Sequence, residues 1–200
     1  AAIDHGHARI TSLLYAHGTT CGIRMYAMQH RIDVVAEMLK IDPSRADDVL
    51  PGAWKGAHNE DAAYDIMRLA TRYGARFESA GSWELRWTLT KYPKVFRLLV
   101  EYGADPNQPL LGIAGDMPRR YEGQERMVQL IGTLLEEFGA DANCHDEEGL
   151  TPLALASREG HALIADCLLS HGAATHTDAP DWAQPAALAA SNGHENLARR

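Results

Sequence analysis

The stretch Asp146-Glu147-Glu148-Gly149-Leu150-Thr151-Pro152-Leu153-Ala154-Leu155-Ala156, continued by Gly160-His161 and closed by Gly172-Ala173, decides the fold. Asp146 to Gly149 has turn chemistry, with the glycine supplying a positive φ that side chains resist. Thr151 is placed to cap a helix, and Pro152 suits its first position, where a missing N–H costs nothing. Leu153 and Ala156 lie three apart on one face, and the small residue lets a second helix come close. Gly160 breaks this first helix. In the next, Ile164, Cys167 and Leu168 keep the i, i+3, i+4 spacing, and Gly172 stands where a left-handed C-cap belongs. The spacing predicts turn, helix, turn, helix over residues 146–178.

Working outward, the same signals recur. Gly139-Ala140 returns as Gly172-Ala173, Pro152 as Pro185, Ala156 as Ala189 and Gly160-His161 as Gly193-His194, each 33 residues apart. Self-similarity at such a period is the signature of a stacked repeat. Asp146, Gly149, Thr151-Pro152-Leu153, Ala156, Gly160-His161, Ile164, Leu168-Leu169 and Gly172-Ala173 together closely resemble the ankyrin repeat. More worn copies keep one column, a glycine ending the second helix with a leucine four residues before it: Leu14/Gly18, Leu99/Gly103, Leu135/Gly139 and Leu168/Gly172, with Ala70/Gly74 as a degenerate member. Ile23 to Leu39 supplies another helix pair, with Val34, Val35, Met38 and Leu39 as its buried stripe, and Lys40-Ile41-Asp42-Pro43 replaces its terminal glycine. Pro51 to Gly74 is the least regular copy, although Ile66 and Leu69 keep the spacing.

The fold expected is all-α: one domain over residues 1–200, an ankyrin-repeat solenoid of about seven helix-turn-helix units. The approximate units are 1–20, 21–47, 48–77, 78–107, 108–145, 146–178 and 179–200. The first and last are incomplete, which reads as a piece of a longer array or a larger protein. Ankyrin repeats usually project a two-stranded finger before the TPL stretch. Gly139 to Pro152 and Gly172 to Pro185 have length for one, whereas Gly103 to Pro109 and Gly18 to Ile23 do not. Short β-hairpin fingers are therefore expected only in the C-terminal part. About ten extra residues between Pro109 and Gly139, around Gly115 to Gly123, read as an inserted surface loop.

Composition bounds the function. A 46% hydrophobic and 23% charged chain without an 18-residue apolar run reads as soluble and intracellular, in the cytoplasm, with no membrane insertion. Net charge −8 argues against nucleic acid, which is held by clustered Lys and Arg. Cys21, Cys144 and Cys167 form no CxxC pair and read as free thiols. His5/His7 and His171/His176 lack a zinc-like spacing, and His7, His161 and His194 fall at the repeated post-glycine position, where packing is expected. There is no GxSxG, HExxH or P-loop, so no catalytic residue, cofactor or metal is assigned. The neighbours Asp47-Asp48 and Glu136-Glu137 read as solvated surface.

The resemblance implies a protein-interaction module that reads its partner on the finger tips and the outward face of the first helices. The matching positions are Glu147, Glu148 and Leu150 on one finger, Arg158 and Glu159 at the end of its helix, Asp178, Asp181 and Trp182 on the next finger, and Ser191 and Asn192 beyond. Trp182 replaces a consensus turn glycine and is expected to be exposed as an interface anchor, the alternative being packing on the neighbouring finger. Trp83 and Trp87, four apart, read as core, and Trp54 is ambiguous. The acidic finger residues imply a protein partner that is basic at the contact, with oligomeric state undetermined. A second reading is a regulatory or targeting segment of a larger enzyme, transporter or effector. A third places an enzyme or metal site in the irregular N-terminal half.

Overall fold

In the computed structural model the described residues are 22–49, 53, 60–78, 80–115 and 123–199. They fall into two compact units, one comprising residues 1–80 and 91–104, the other 81–90 and 105–200.

In the first unit, α1 (Ile23–Met28) and α2 (Ile32–Ile41) form a helix pair, followed by a 3-10 segment, Pro43–Val49. Val34, Val35, Met38 and Leu39 are buried together, so the expected stripe of α2 is the one that packs. The turn between α1 and α2 passes through His30 at φ 51, doing with a histidine what glycine does elsewhere in the chain. α3 (Glu60–Arg72) packs on α2 and on α5 (Pro93–Glu101). It buries Ala63, Ile66, Met67 and Ala70 at helical spacing, while Leu69 is half-buried. Pro93 opens α5, whose Val95, Phe96, Leu98 and Leu99 are buried.

The second unit begins with α4 (Ser82–Lys91, all but its last residue) and continues with α6 (Asn107–Gly115), α7 (Gln124–Glu137), α8 (Pro152–Glu159), α9 (Ala162–Ser170), α10 (Pro185–Ser191) and α11 (Glu195–Ala198). α8 lies between α6 and α10 and also packs on its own partner α9, while α9 packs on α7. This crowding explains its composition: Pro152 to Ser157 are all buried, which only small residues interleaved with leucine allow. Thr151 caps the helix, its Oγ1 accepting the Ala154 N–H at 3.2 Å, and Gly160 ends it at φ 75. The inserted residues 116–122 lie outside the described set, as do Trp54 and the Gly6–Gly18 copy. α6 ends and α7 begins at their borders.

The glycines that close first and second helices share a geometry. Gly74, Gly103, Gly139, Gly160, Gly172 and Gly193 all have positive φ. In five of these cases the following residue donates its N–H back five positions: Ala75 to Ala70, Ala104 to Leu99, His161 to Ala156, Ala173 to Leu168 and His194 to Ala189. Such a wrapped helix end needs a left-handed residue at its close. At Gly139 the bond reaches one residue further, from Ala140 to Leu134, and Leu134 is the buried side chain while Leu135 is half-buried. The column that reads as Leu135 is occupied in the core by Leu134.

Two expectations need correction. The β-hairpin fingers are absent: among the described residues there is no strand, 138–151 is turns, bends and irregular chain, and 171–184 is the same apart from a 3-10 turn at Asp181–Ala183. The reason is local competition, since side chains take the N–H groups that a ladder would use. Asp141 Oδ1 accepts from Asn143 N, and Asp146 Oδ1 accepts from both Glu148 N and Leu150 N, each at 2.8–2.9 Å. In the second loop the Gln184 amide bridges the backbone of Thr177 and Ala179. The second correction concerns Trp83, which is 54% exposed rather than core. The buried stripe of α4 is Leu85, Thr88 and Leu89; Trp83 lies off it, and Trp87 is half-buried.

Candidate functional site

The residues singled out above all belong to the second unit, on the loops before α8 and α10 and at the far ends of those helices. One of them, Leu150, and Ala183, which stands 33 residues later, anchor the loops and do not face solvent. Leu150 is 1% exposed and Ala183 3% exposed; both join a cluster with Ala114, Ala154, Leu155 and Leu188. Leu150 is therefore withdrawn from the contact set: its side chain sits among the helices and holds the loop down, leaving its neighbours outside.

Those neighbours are Glu147 and Glu148 on the first loop and Asp178, Asp181 and Trp182 on the second, all exposed. Trp182 is 62% exposed. It follows Gly149 by one repeat, yet it needs no left-handed backbone, because the loop there forms a 3-10 turn, Asp181–Ala183, entered through Pro180 and closed by Ala183 N donating to Pro180 O at 2.8 Å. A change of turn type admits a large side chain where the preceding copy requires glycine. Arg158 and Glu159 are half-buried, with the Arg158 Nε 3.0 Å from the Glu159 carboxylate and its Nη1 4.0 Å from Glu148. The one guanidinium in the set is thus engaged by its own repeat. Ser191 and Asn192 are exposed, but both donate to the Leu188 carbonyl and so finish α10.

The residues that tie one copy to the next went unread in the sequence. Asn107 Oδ1 accepts from Asp141 N at 2.8 Å; Asn143 Oδ1 accepts from Ala174 N at 2.7 Å while its amide donates to Gly172 O at 3.2 Å. The signal was present as Gly-Ala-Asp-x-Asn at 103–107 and again at 139–143. The paired carboxylates also do more than face water. Asp47 accepts from Arg76 N at 2.8 Å, Asp48 pairs with Arg45, and Glu136 lies 3.0 Å from His171 Nε2.

The titrating groups point to structure. Burial, then the carboxylates of Asp141, Asp105 and Asp146, push the Cys144 thiol up to about 12, which favours the thiol over the thiolate. Cys167 is raised for the same leading reason. His171 is raised because its Nδ1 lies 2.8 Å from the Cys167 carbonyl and its Nε2 faces Glu136. Among the described residues no three His, Cys, Asp or Glu converge as for a metal, and no helix is long and apolar enough to cross a membrane.

The helix pairs α6/α7 and α8/α9, closed by the left-handed Gly139 and Gly172, with Asn107 and Asn143 each bonding across to the following loop, define a helical repeat over the C-terminal part of the chain. Residues 121–200 match the family model of ankyrin repeats, in three copies. Over this segment the chain is similar to ankyrin-repeat proteins, and ankyrin repeats in general are modules that bind other proteins. No curated protein matches the chain.

Proposed function

We propose that the chain binds a protein partner through the loop tips and helix ends of residues 147–192, and that the partner is basic where it touches. The observation that carries this reading is the exposed Trp182, standing on a hydrogen-bonded 3-10 turn, with exposed carboxylates that lack a cation on the same and the preceding loop. Among the described residues Glu147, Asp178 and Asp181 make no ion pair, and the Glu148 carboxylate lies 4.0 Å from a guanidinium already engaged by Glu159. An exposed aromatic rimmed by unpaired charge of one sign is suited to anchoring a partner of the other sign. The worn copies over residues 1–120 are read as further repeats of the same kind, and the chain as binding without catalysis.

The test is a comparison of the chain with a Trp182→Ala, Glu148→Lys double variant whose far-ultraviolet dichroism and melting are unchanged. Both sites are exposed, so folding is expected to survive. A partner captured by the parent chain, purified and measured by calorimetry, is expected to bind the variant at least about tenfold more weakly. Equal affinity in the folded variant removes this surface from consideration.

A further inference from the structure

We infer that the 3-10 turn at Asp181–Ala183 is a seat for an arginine side chain of the partner, whose guanidinium stacks on the exposed indole of Trp182 while Asp181 and Asp178 accept its N–H groups. This rests on the loop-tip reading above and names the side chain which that surface takes. Three observations carry it.

The indole is held out on a preorganised base. Ala183, next to it, is buried in the core cluster with Leu150 and Leu188. The Gln184 side chain makes three hydrogen bonds to the preceding loop, at 3.1 Å from Thr177 N and 2.9 and 2.6 Å to the carbonyls of Thr177 and Ala179. Little conformational freedom remains to be lost under Trp182 when a ligand arrives. The indole itself is 62% exposed.

The second observation is the distribution of charge. Asp181, next to Trp182 in the chain, and Asp178, four residues before it on the same loop, are both exposed. Among the described residues neither is paired, whereas the nearby arginines are committed: Arg158 to Glu159 and Glu148, and Arg199 to Glu195 at 3.3 Å. The loop thus carries an exposed indole and two exposed carboxylates that make no ion pair among the described residues. A cation over a tryptophan face is attracted by the ring quadrupole, and tryptophan is the best of the aromatic residues for it.

The third is the choice between cations. A guanidinium is planar, weakly hydrated and presents a fork of donors that fits a carboxylate edge while its face lies on a ring. An ammonium is a compact, strongly hydrated point charge. A flat exposed indole on a loop that also carries two short aspartates suits the first shape, so arginine is selected over lysine.

The experiment titrates the intact chain with three peptides of equal length, hexa-arginine, hexa-lysine and hexa-citrulline, following the indole N–H resonance of Trp182, assigned by its loss in Trp182→Phe. Hexa-arginine is expected to shift that resonance and to bind several-fold more tightly than hexa-lysine, with hexa-citrulline silent. Trp182→Leu is expected to weaken hexa-arginine about fivefold, and Trp182→Phe by less. An unshifted indole, equal binding of the arginine and lysine peptides, or full affinity in Trp182→Leu overturns the arginine seat. The triple variant Glu148→Gln, Asp178→Asn, Asp181→Asn separates the two readings. If it abolishes binding while Trp182→Leu does not, the acidic surface stands and the arginine seat falls; if neither change matters, both fall.

Discussion

Single residues show the cost of this fold most directly at its glycines. Gly160 and Gly172 both hold left-handed backbone, at φ 75 and φ 84. A Cβ at 172 would meet nothing within 4 Å, whereas one at 160 would come within 2.4 Å of the His194 ring. Gly172→Ala is therefore expected to cost only the backbone strain, about 1–2 kcal/mol, and Gly160→Ala that amount plus the displacement of an imidazole. Urea unfolding compares the two, and the excess at 160 should vanish in a His194→Ala background. His171 gives a second prediction at this scale. The Cys167 carbonyl, then Glu136, raise its pKa above the ordinary 6.5. A raised histidine stabilises the fold fully below about pH 6.5, and the contribution disappears as pH rises through the folded value. Glu136→Gln should lower the His171 titration midpoint seen by proton NMR and shrink the stability difference between mildly acidic and mildly alkaline buffer. The shift should be partial, because the Cys167 carbonyl remains 2.8 Å away. An unchanged midpoint would mean that the pair does not form in solution.

At the scale of elements, the ties between successive copies are set by side chains on loops. Asn143 reaches across to the next copy with one accepted and one donated bond. Asn143→Ala is expected to cost about 1 kcal/mol, and Asn143→Asp less, since the carboxylate keeps the accepted bond from Ala174. The checks are the urea midpoint and faster amide exchange at Ala174; equal loss in both variants would place the stability in the donated bond to Gly172 instead. These loops also mark where the sequence could be read and where it could not. The helices between Thr151 and Gly172 were legible because caps, proline and apolar spacing all agreed, and the same logic found the stripe of α2. The fingers were misread because loop length alone says nothing about whether Asp141 and Asp146 will capture the backbone N–H groups first. Leu150 was misplaced for a related reason: its position on the loop is outward by analogy, while its apolar side chain and Ala183 one repeat later belong to the interior. Trp182 was read as exposed from its place in the turn, though nothing in the sequence marked the 3-10 turn that accommodates it. Trp83 shows the limit of pairwise spacing, because i, i+4 aromatics fix a shared face without saying which face it is.

On the scale of the whole molecule, stacked repeats exchange long-range contacts for nearest-neighbour ones, so the effect of a fault depends on how many neighbours share it. The second unit offers a matched pair. Ala156 and Ala189 occupy the same repeat position 33 residues apart and are both 0% exposed. Ala156 lies on α8, which packs on α6, α9 and α10; Ala189 lies on α10, which packs on α8, α11 and its own 3-10 turn. The pair α10 and α11 is the less deeply anchored, since α11 spans four residues and buries none of them. Replacing either alanine with leucine inserts the same volume into a space without room, a cost of about 1–3 kcal/mol where the surroundings cannot shift. Around Ala189 the neighbouring α11 can yield by local opening, the mode by which weakly buried elements relax. Around Ala156 three packed helices must move together. Ala156→Leu is therefore expected to lower the urea midpoint more than Ala189→Leu and to raise amide exchange from α6 through α10. Ala189→Leu should raise it only in α10 and α11. Matching losses with matching exchange patterns would mean that the second unit unfolds as one block, and that its stability is not assembled copy by copy.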